Sequence, residues 1–260
     1  MKKLFLQTAV IASIALGFSS CSDDDKDYSP ENPDQVEVTR AEGDSTAIGA
    51  KIGTFRQTAG AQLNTTLNAK GGRRKINWDG VPASLTNVNT FPVDFFNPTD
   101  PAIAEGRKRG LLYIPGTAAL RVSDNNFADV DVSYANEFKP FSKAKLFSSA
   151  GTNVTDFKFQ VPGTNQDAYV TSFGIIFSDV DDANATVVKI YEGDDLFAEV
   201  KATASDKKFS FVGLTTTKRR ITRVKVISGN TAIAAGAVDG GSKDIVVMDD
   251  FIYSEPVALK

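Results

Sequence analysis

Thr155-Asp156-Phe157-Lys158-Phe159-Gln160-Val161 is the stretch that decides the fold class. Phe157, Phe159 and Val161 fall on one side of an extended chain, and Asp156, Lys158 and Gln160 on the other. A period of two marks a β-strand with one dry and one wet face. Arg223-Val224-Lys225-Val226-Ile227 repeats the pattern, and its outward basic residues also discourage edge pairing. Residues 168–177 form a more continuous apolar run, as expected of a strand covered on both faces. Other runs rich in β-branched or aromatic residues lie at 75–78, 111–114, 119–122, 186–191, 209–212 and 245–253. Turn residues follow several of them, as Asp79-Gly80, Pro115-Gly116 and Gly193-Asp194 do. Many short strands with turns between them predict an all-β fold, an antiparallel, jelly-roll-like sandwich. No repeat of fixed period is present, so one domain over 50–256 is expected. Residues 52–72, rich in Gly, Ala, Thr and Asn, read as a loop or wrapping arm with one short helical turn at most.

The N-terminal end carries a different signal. Met1-Lys2-Lys3 is followed by an apolar stretch over 4–18, the size of a signal-peptide core. Ser19-Ser20-Cys21 then resembles a lipobox, although Phe18 stands where Leu is commoner. The resemblance implies a signal peptide over 1–20 and lipidation of Cys21, and hence a membrane partner through a lipid anchor. An ordinary secretory signal with an incidental cysteine is the alternative. Cys21 is the only cysteine, so no intrachain disulfide is expected and a packed core must supply stability. Ser22-Asp23-Asp24-Asp25-Lys26-Asp27 resembles the surface-export signal of Bacteroides–Flavobacterium lipoproteins. That implies the outer membrane, with the chain facing the cell exterior; a periplasm-facing tether is the other reading. Residues 22–44 hold nine acids against two bases, together with Pro30 and Pro33. A lipidated, extended, disordered acidic tether over 21–49 follows. Asp44-Ser45-Thr46 fits the short O-glycosylation motif of that group, or a plain turn. The remaining domain is near neutral, which argues against a nucleic-acid partner.

Five segments, taken in order, suggest a family. They are Ile76-Asn77-Trp78-Asp79-Gly80-Val81-Pro82, Phe173-Gly174-Ile175-Ile176-Phe177-Ser178-Asp179-Val180-Asp181, Phe209-Ser210-Phe211-Val212-Gly213, Ile221-Thr222-Arg223-Val224-Lys225-Val226 and Val247-Met248-Asp249-Asp250-Phe251-Ile252-Tyr253. Together they resemble a family of secreted bacterial jelly-roll domains that close on a "DDF.Y" strand. The family is largely uncharacterised, so the resemblance implies a fold and no activity. Its shape is similar to that of carbohydrate-binding jelly rolls, whose first and last strands lie together and often help bind a structural calcium. Likeness of fold does not transfer function.

Chemistry is limited by what the chain lacks. It has no histidine, which removes Ser-His-Asp and Cys-His catalysis and histidine-bound zinc. No stretch matches a phosphate-binding GxxxxGK loop, and Asp239-Gly240-Gly241-Ser242 reads as a hairpin loop. Acids such as Asp79, Asp94, Glu105 and Asp124 are scattered, and no pair is set apart for glycoside hydrolysis, so an enzyme is not expected. Asp179, Asp181, Asp182 and Asn184 follow a strand and offer several oxygens to one centre. With Asp250 from the closing strand, Asp179 and Asp181 are the candidate ligands of a structural calcium, although no EF-hand loop is present. Solvation of turns is the alternative role for these acids.

Aromatic and basic residues give the candidate binding site. Phe95-Phe96, between Pro92 and Pro98, is the best loop candidate for a sugar-stacking platform; Phe91, Tyr113, Tyr134, Tyr169 and Tyr191 are further ones. Core packing is the competing role for each. Arg73-Arg74-Lys75, Arg107-Lys108-Arg109 and Lys218-Arg219-Arg220 flank strands. Two of them at one end of a sandwich would make a cationic patch for carboxylated or sulfated glycans; otherwise they are separate solvated turns. The expectation is a non-catalytic surface binding module for glycan, through Arg107, Lys108, Arg109, Phe95 and Phe96. A structural or adhesive protein that binds another protein or the matrix is the second reading, and a carboxylate-dependent hydrolase or lyase the third.

Overall fold

The computed structural model describes residues 36–116 and 119–260. Alternation and β-branching produce fourteen strands there: β1 (Val36–Gly43), β2 (Arg73–Ile76), β3 (Leu111–Tyr113), β4 (Ala119–Ser123), β5 (Leu146–Ala150), β6 (Val154–Gln160), β7 (Asp167–Tyr169), β8 (Ser172–Val180), β9 (Val187–Glu192), β10 (Asp195–Lys201), β11 (Ser205–Thr216), β12 (Arg223–Ile227), β13 (Val247–Ser254) and β14 (Val257–Ala258). They form two packed antiparallel sheets. The first runs β1-β11-β8-β13-β5-β4, with β2 also beside β13. The second runs β10-β9-β12-β6-β7-β14, with β3 also beside β6. From β8 onward the chain crosses repeatedly between the sheets, as a wound sandwich requires. The all-β sandwich read from the alternation is the observed fold. The run over 168–177 divides, however, into β7 of the second sheet and β8 of the first.

Aromatic rings fill the space between the sheets. Trp78 stacks on Phe147 with ring centroids 4.0 Å apart, and Phe251 meets it edge-on at 5.4 Å. The indole N–H donates to the carbonyl of Asp249 at 2.9 Å, so the one polar atom of this large side chain is satisfied. Phe157 contacts Phe251 at 5.0 Å and ties β6 of one sheet to β13 of the other.

The first sheet is covered on its outer face as well, and here two expectations are corrected. Residues 36–49 are not tether: β1 pairs with β11 along its whole length, and α1 (Ser45–Ala59) follows at once. The domain therefore takes in residues 36–49 and has no boundary near residue 50. The reading of 52–72 as a loop fails over its first eight residues, which belong to α1. Ile48, Ile52, Phe55 and Ala59 make the buried stripe of this helix, at helical spacing. Gly49 and Gly53 lower its intrinsic propensity, so tertiary packing holds it. Asp44 is the helix N-cap, its carboxylate accepting from the N–H groups of Thr46 and Ala47 at 3.0 and 2.8 Å. Phe55 lies over Gly174 of β8 and Gly213 of β11, which face each other in register. A Cβ on either would lie 2.5–2.6 Å from its ring, so both glycines make space. Beyond α1, Phe127, Tyr134 and Phe138 cover Leu146 and Val247 on the same face.

Candidate ligand face and acidic end

Among the described residues, no helix or aromatic segment of that kind covers the outer face of the second sheet. Register places Lys158 of β6, Arg223 of β12 and Tyr191 of β9 in one row, with Asp156, Lys225 and Lys189 in the next. Each residue of these two rows is partly exposed, while the alternate residues Phe157, Val224 and Ile190 are buried. Arg223 forks onto Asp156 with two bonds of 2.9 Å, and its guanidinium lies 4.9 Å from the centre of the Tyr191 ring. Lys189 pairs with Glu199 of β10 at 2.8 Å. Along one side of this face runs a groove of about 480 Å³, floored by Phe159 and Ala168 and walled by Lys158, Glu192, Arg220 and Arg223 among others. Glu192 accepts from Arg219 at 2.8 Å and from Arg220 at 2.7 Å. Burial works to raise the Glu192 carboxyl, but the bonds from Arg220 and Arg219 outweigh it and leave the group below its usual range. Arg220 also lies 5.8 Å from the Tyr169 ring centre. The arrangement presents fixed donors and acceptors side by side, next to aromatic rings.

The binding residues expected from sequence lie elsewhere: Phe95, Phe96 and Lys108 are buried, and Arg107 and Arg109 are half-buried beside them. Phe95 and Phe96 are only 3% and 7% exposed. They meet edge-on at 5.0 Å, and Phe96 meets Trp78 at 5.3 Å. They extend the core and offer no open platform, because the Pro-flanked loop folds inward. Arg107 lies 3.8 Å over the Phe95 ring, and its Nε donates to the Phe95 carbonyl at 3.0 Å. Lys108 is buried. Arg109 donates to the carbonyls of Gly106 and Lys75 at 2.8 and 2.5 Å, and burial lowers its pKa despite the opposing influence of Tyr253. Two basic triplets do converge here, since Arg109 reaches Lys75. They converge as a packed clamp: Arg74 is fully buried and forks onto Glu255 with two bonds of 2.6 Å. Backbone carbonyls and a buried acid thus absorb the charge expected at the surface. Of the three triplets, Lys218-Arg219-Arg220 alone reaches the open groove, through Arg220. Phe91, Tyr113 and Tyr134 are buried as well, which leaves Tyr169 and Tyr191 half-exposed at the second sheet. The pairing of Arg223 with Tyr191 was missed because it joins strands 32 residues apart; the alternation of both strands was its only trace in sequence.

Acids gather at one end of the sandwich. Asp179 sits near the end of β8 in the left-handed region, at φ 69°. Opposite it β11 bulges, so that Asp206, Lys207 and Lys208 stand where one residue would pair. The Lys207 N–H donates to Asp179 Oδ1 at 2.7 Å. Oδ2 is buried and has no hydrogen-bond partner among the described residues. Three overlapping groups of carboxylates converge, with oxygens within 4.8 Å of one another in each: Glu137, Asp179 and Asp239; Asp179, Asp181 and Asp206; Asp181, Asp239 and Asp244. Burial pushes Asp179 up to about 8, with repulsion from Asp239, Asp181 and Glu137 adding to it and the Lys207 N–H opposing. Burial likewise raises Asp239 and Asp244, each to about 6.

Asp179 and Asp181 therefore come together as the sequence suggested, but Asp250 does not join them. It lies 2.7 Å from Lys75 Nζ and accepts from the Ser142 hydroxyl at 2.7 Å. A bulge in β13 between Met248 and Phe251 sets its position. Glu137, Asp206, Asp239 and Asp244 were not foreseen as partners, since they come from separate segments.

Cys21, the expected signal peptide over 1–20 and residues 21–35 of the expected tether lie outside the described residues. No helix among the described residues is long and apolar enough to cross a membrane. Compared with known proteins, the chain matches no family model and no curated sequence.

Proposed function

We propose that this chain is a non-catalytic binding protein, held at the outer membrane by lipid on Cys21 and facing the cell exterior, that takes up glycan on the outer face of its second sheet. The observation that carries the reading is the groove of about 480 Å³ beside Arg223 and Tyr191. Its size falls in the range of small-ligand sites. Sugars present hydroxyl groups, which both donate and accept, and C–H faces that pack on rings. Arg223 with Asp156, and Arg220 with Glu192, offer both kinds of hydrogen-bonding group, each fixed by the other. Tyr191 and Tyr169, which lie against the groove residues Arg223 and Arg220, offer rings at its margin. Positive and negative groups are interleaved over this face, which suits a hydroxyl-rich ligand better than a polyanion. Anchoring many copies on one surface would add avidity for a repeating glycan. Fourteen residues separate Cys21 from Val36 and, fully extended, span at most about 50 Å.

A glycan array probed with the purified chain tests the ligand. The expected result is binding that weakens at least tenfold in a variant carrying Arg223→Ala and Tyr191→Ala. Capture of a protein with no glycan bound would favour the adhesive reading, and turnover of a polysaccharide would make the chain an enzyme. Mass spectrometry of the protein from its native membrane is expected to find residue 21 acylated and the leader removed. An unmodified Cys21 would remove the anchor from the proposal.

A further inference from the structure

We infer that the acidic end of the sandwich is a calcium site, in which Glu137, Asp179, Asp181 and Asp239 supply carboxylate oxygens. Proximity of acids alone would not carry this, since exposed acids often cluster without an ion. The decisive atom is Asp179 Oδ2. It is buried, it belongs to a carboxylate shared by two of the three acidic groups, and it has no donor among the described residues. An acceptor desolvated without a partner costs about 1–3 kcal/mol, and more when it is charged. A cation in contact with this carboxylate and its neighbours would supply the missing interaction.

The surroundings agree in charge and in shape. Four separate segments deliver acids here: Glu137 just after the 3-10 turn Val132–Asn136, Asp179 and Asp181 at the end of β8, Asp206 in the bulge of β11, and Asp239 with Asp244 ahead of β13. Against them Lys207 pairs with Glu137 alone, at 3.2 Å. Asp244 braces the site, its two oxygens accepting from the N–H groups of Asp181 and Asp182 at 3.1 and 3.3 Å. A groove of about 350 Å³, lined by Asp181 and Asp244 among others, lies beside the cluster, and Asp181 itself is exposed to solvent.

The donor set selects the metal. All the donors are oxygens, which suits hard cations and not zinc or copper. Calcium accepts six to eight oxygens in irregular geometry, whereas magnesium demands a tight octahedron and keeps most of its water. Several carboxylates from loops and a bulge fit the first description. Bound there, calcium would clasp the end of β8 to the loop before β13 and to the segment that covers the first sheet.

Thermal unfolding of the purified chain in chelator, in calcium and in magnesium, with calorimetric titration of each metal, tests the site. Calcium at about 100 times its Kd is expected to raise Tm by about 5–10 °C, and magnesium at the same concentration by less than half as much. Asp179→Asn and Asp239→Asn should each abolish the calcium shift. In chelator Asp179→Asn should melt no lower than the parent, because it removes like-charge repulsion. If Asp179→Asn does not fold, Asp239→Asn carries the test. Equal Tm in calcium and chelator with no heat of binding would overturn the site, and an equal shift with magnesium would overturn its assignment to calcium. A full shift retained in Asp239→Asn would overturn the ligand set.

Discussion

The two sheets differ most on their outer faces. On the first, α1 and the segment carrying Phe127, Tyr134 and Phe138 lie over the strands, and every residue of β8 and β13 is buried. On the second, β6 and β12 alternate between buried and half-exposed residues, and their outward side chains are mostly charged. The contrast explains the sequence pattern directly. A strand covered twice reads as a continuous apolar run, and a strand covered once reads as period two. It also separates the side chains: the covered face uses them in packing, and the bare face leaves polar groups exposed to solvent.

Removing the cover should produce the largest effect. Phe55→Ala empties the slot above Gly174 and Gly213 and leaves a cavity between α1 and the first sheet. Loss of a buried Phe side chain costs about 3–5 kcal/mol. Chemical denaturation should report that fall, and hydrogen exchange should rise first in α1 and along β11. A loss under about 1 kcal/mol would mean that the helix is not an integral cover, and the asymmetry of the two faces would lose its physical basis.

A smaller change tests how the cover begins. Asp44→Ala removes the carboxylate that caps α1 and should cost about 1 kcal/mol, read as a lower midpoint with unchanged slope. This residue also shows where sequence reading stops. Asp44-Ser45-Thr46 is a cap signal, but Gly49 and Gly53 dilute the helical stripe that should follow it, and the stripe becomes clear only once the Gly174–Gly213 slot for Phe55 is seen. The strands were legible because alternation is local and each strand carries its own. Asp179 and Asp181 were legible because they sit together after one strand. Their partners Glu137 and Asp239 were not, since long-range pairing alone brings them close. Basic residues misled for a related reason: a run such as Arg107-Lys108-Arg109 reads as solvated until buried carbonyls and rings are found around it.

The least effect on stability is expected on the bare face, and that makes it the sharpest probe of the comparison. Arg223→Ala removes a pair with Asp156 in which both side chains are partly exposed, 28% and 17%. Pairs of this kind contribute about 0–1 kcal/mol, and the ring of Tyr191 loses a cation neighbour worth about as much. The melting temperature should therefore fall by no more than a few degrees, while any glycan affinity measured for the parent should drop far more in proportion. Phe55→Ala should show the opposite profile, with stability lost and affinity kept below its midpoint. If Arg223→Ala instead unfolds the domain as readily as Phe55→Ala, the charged rows of the second sheet are structural. The two faces would then differ in composition but not in purpose.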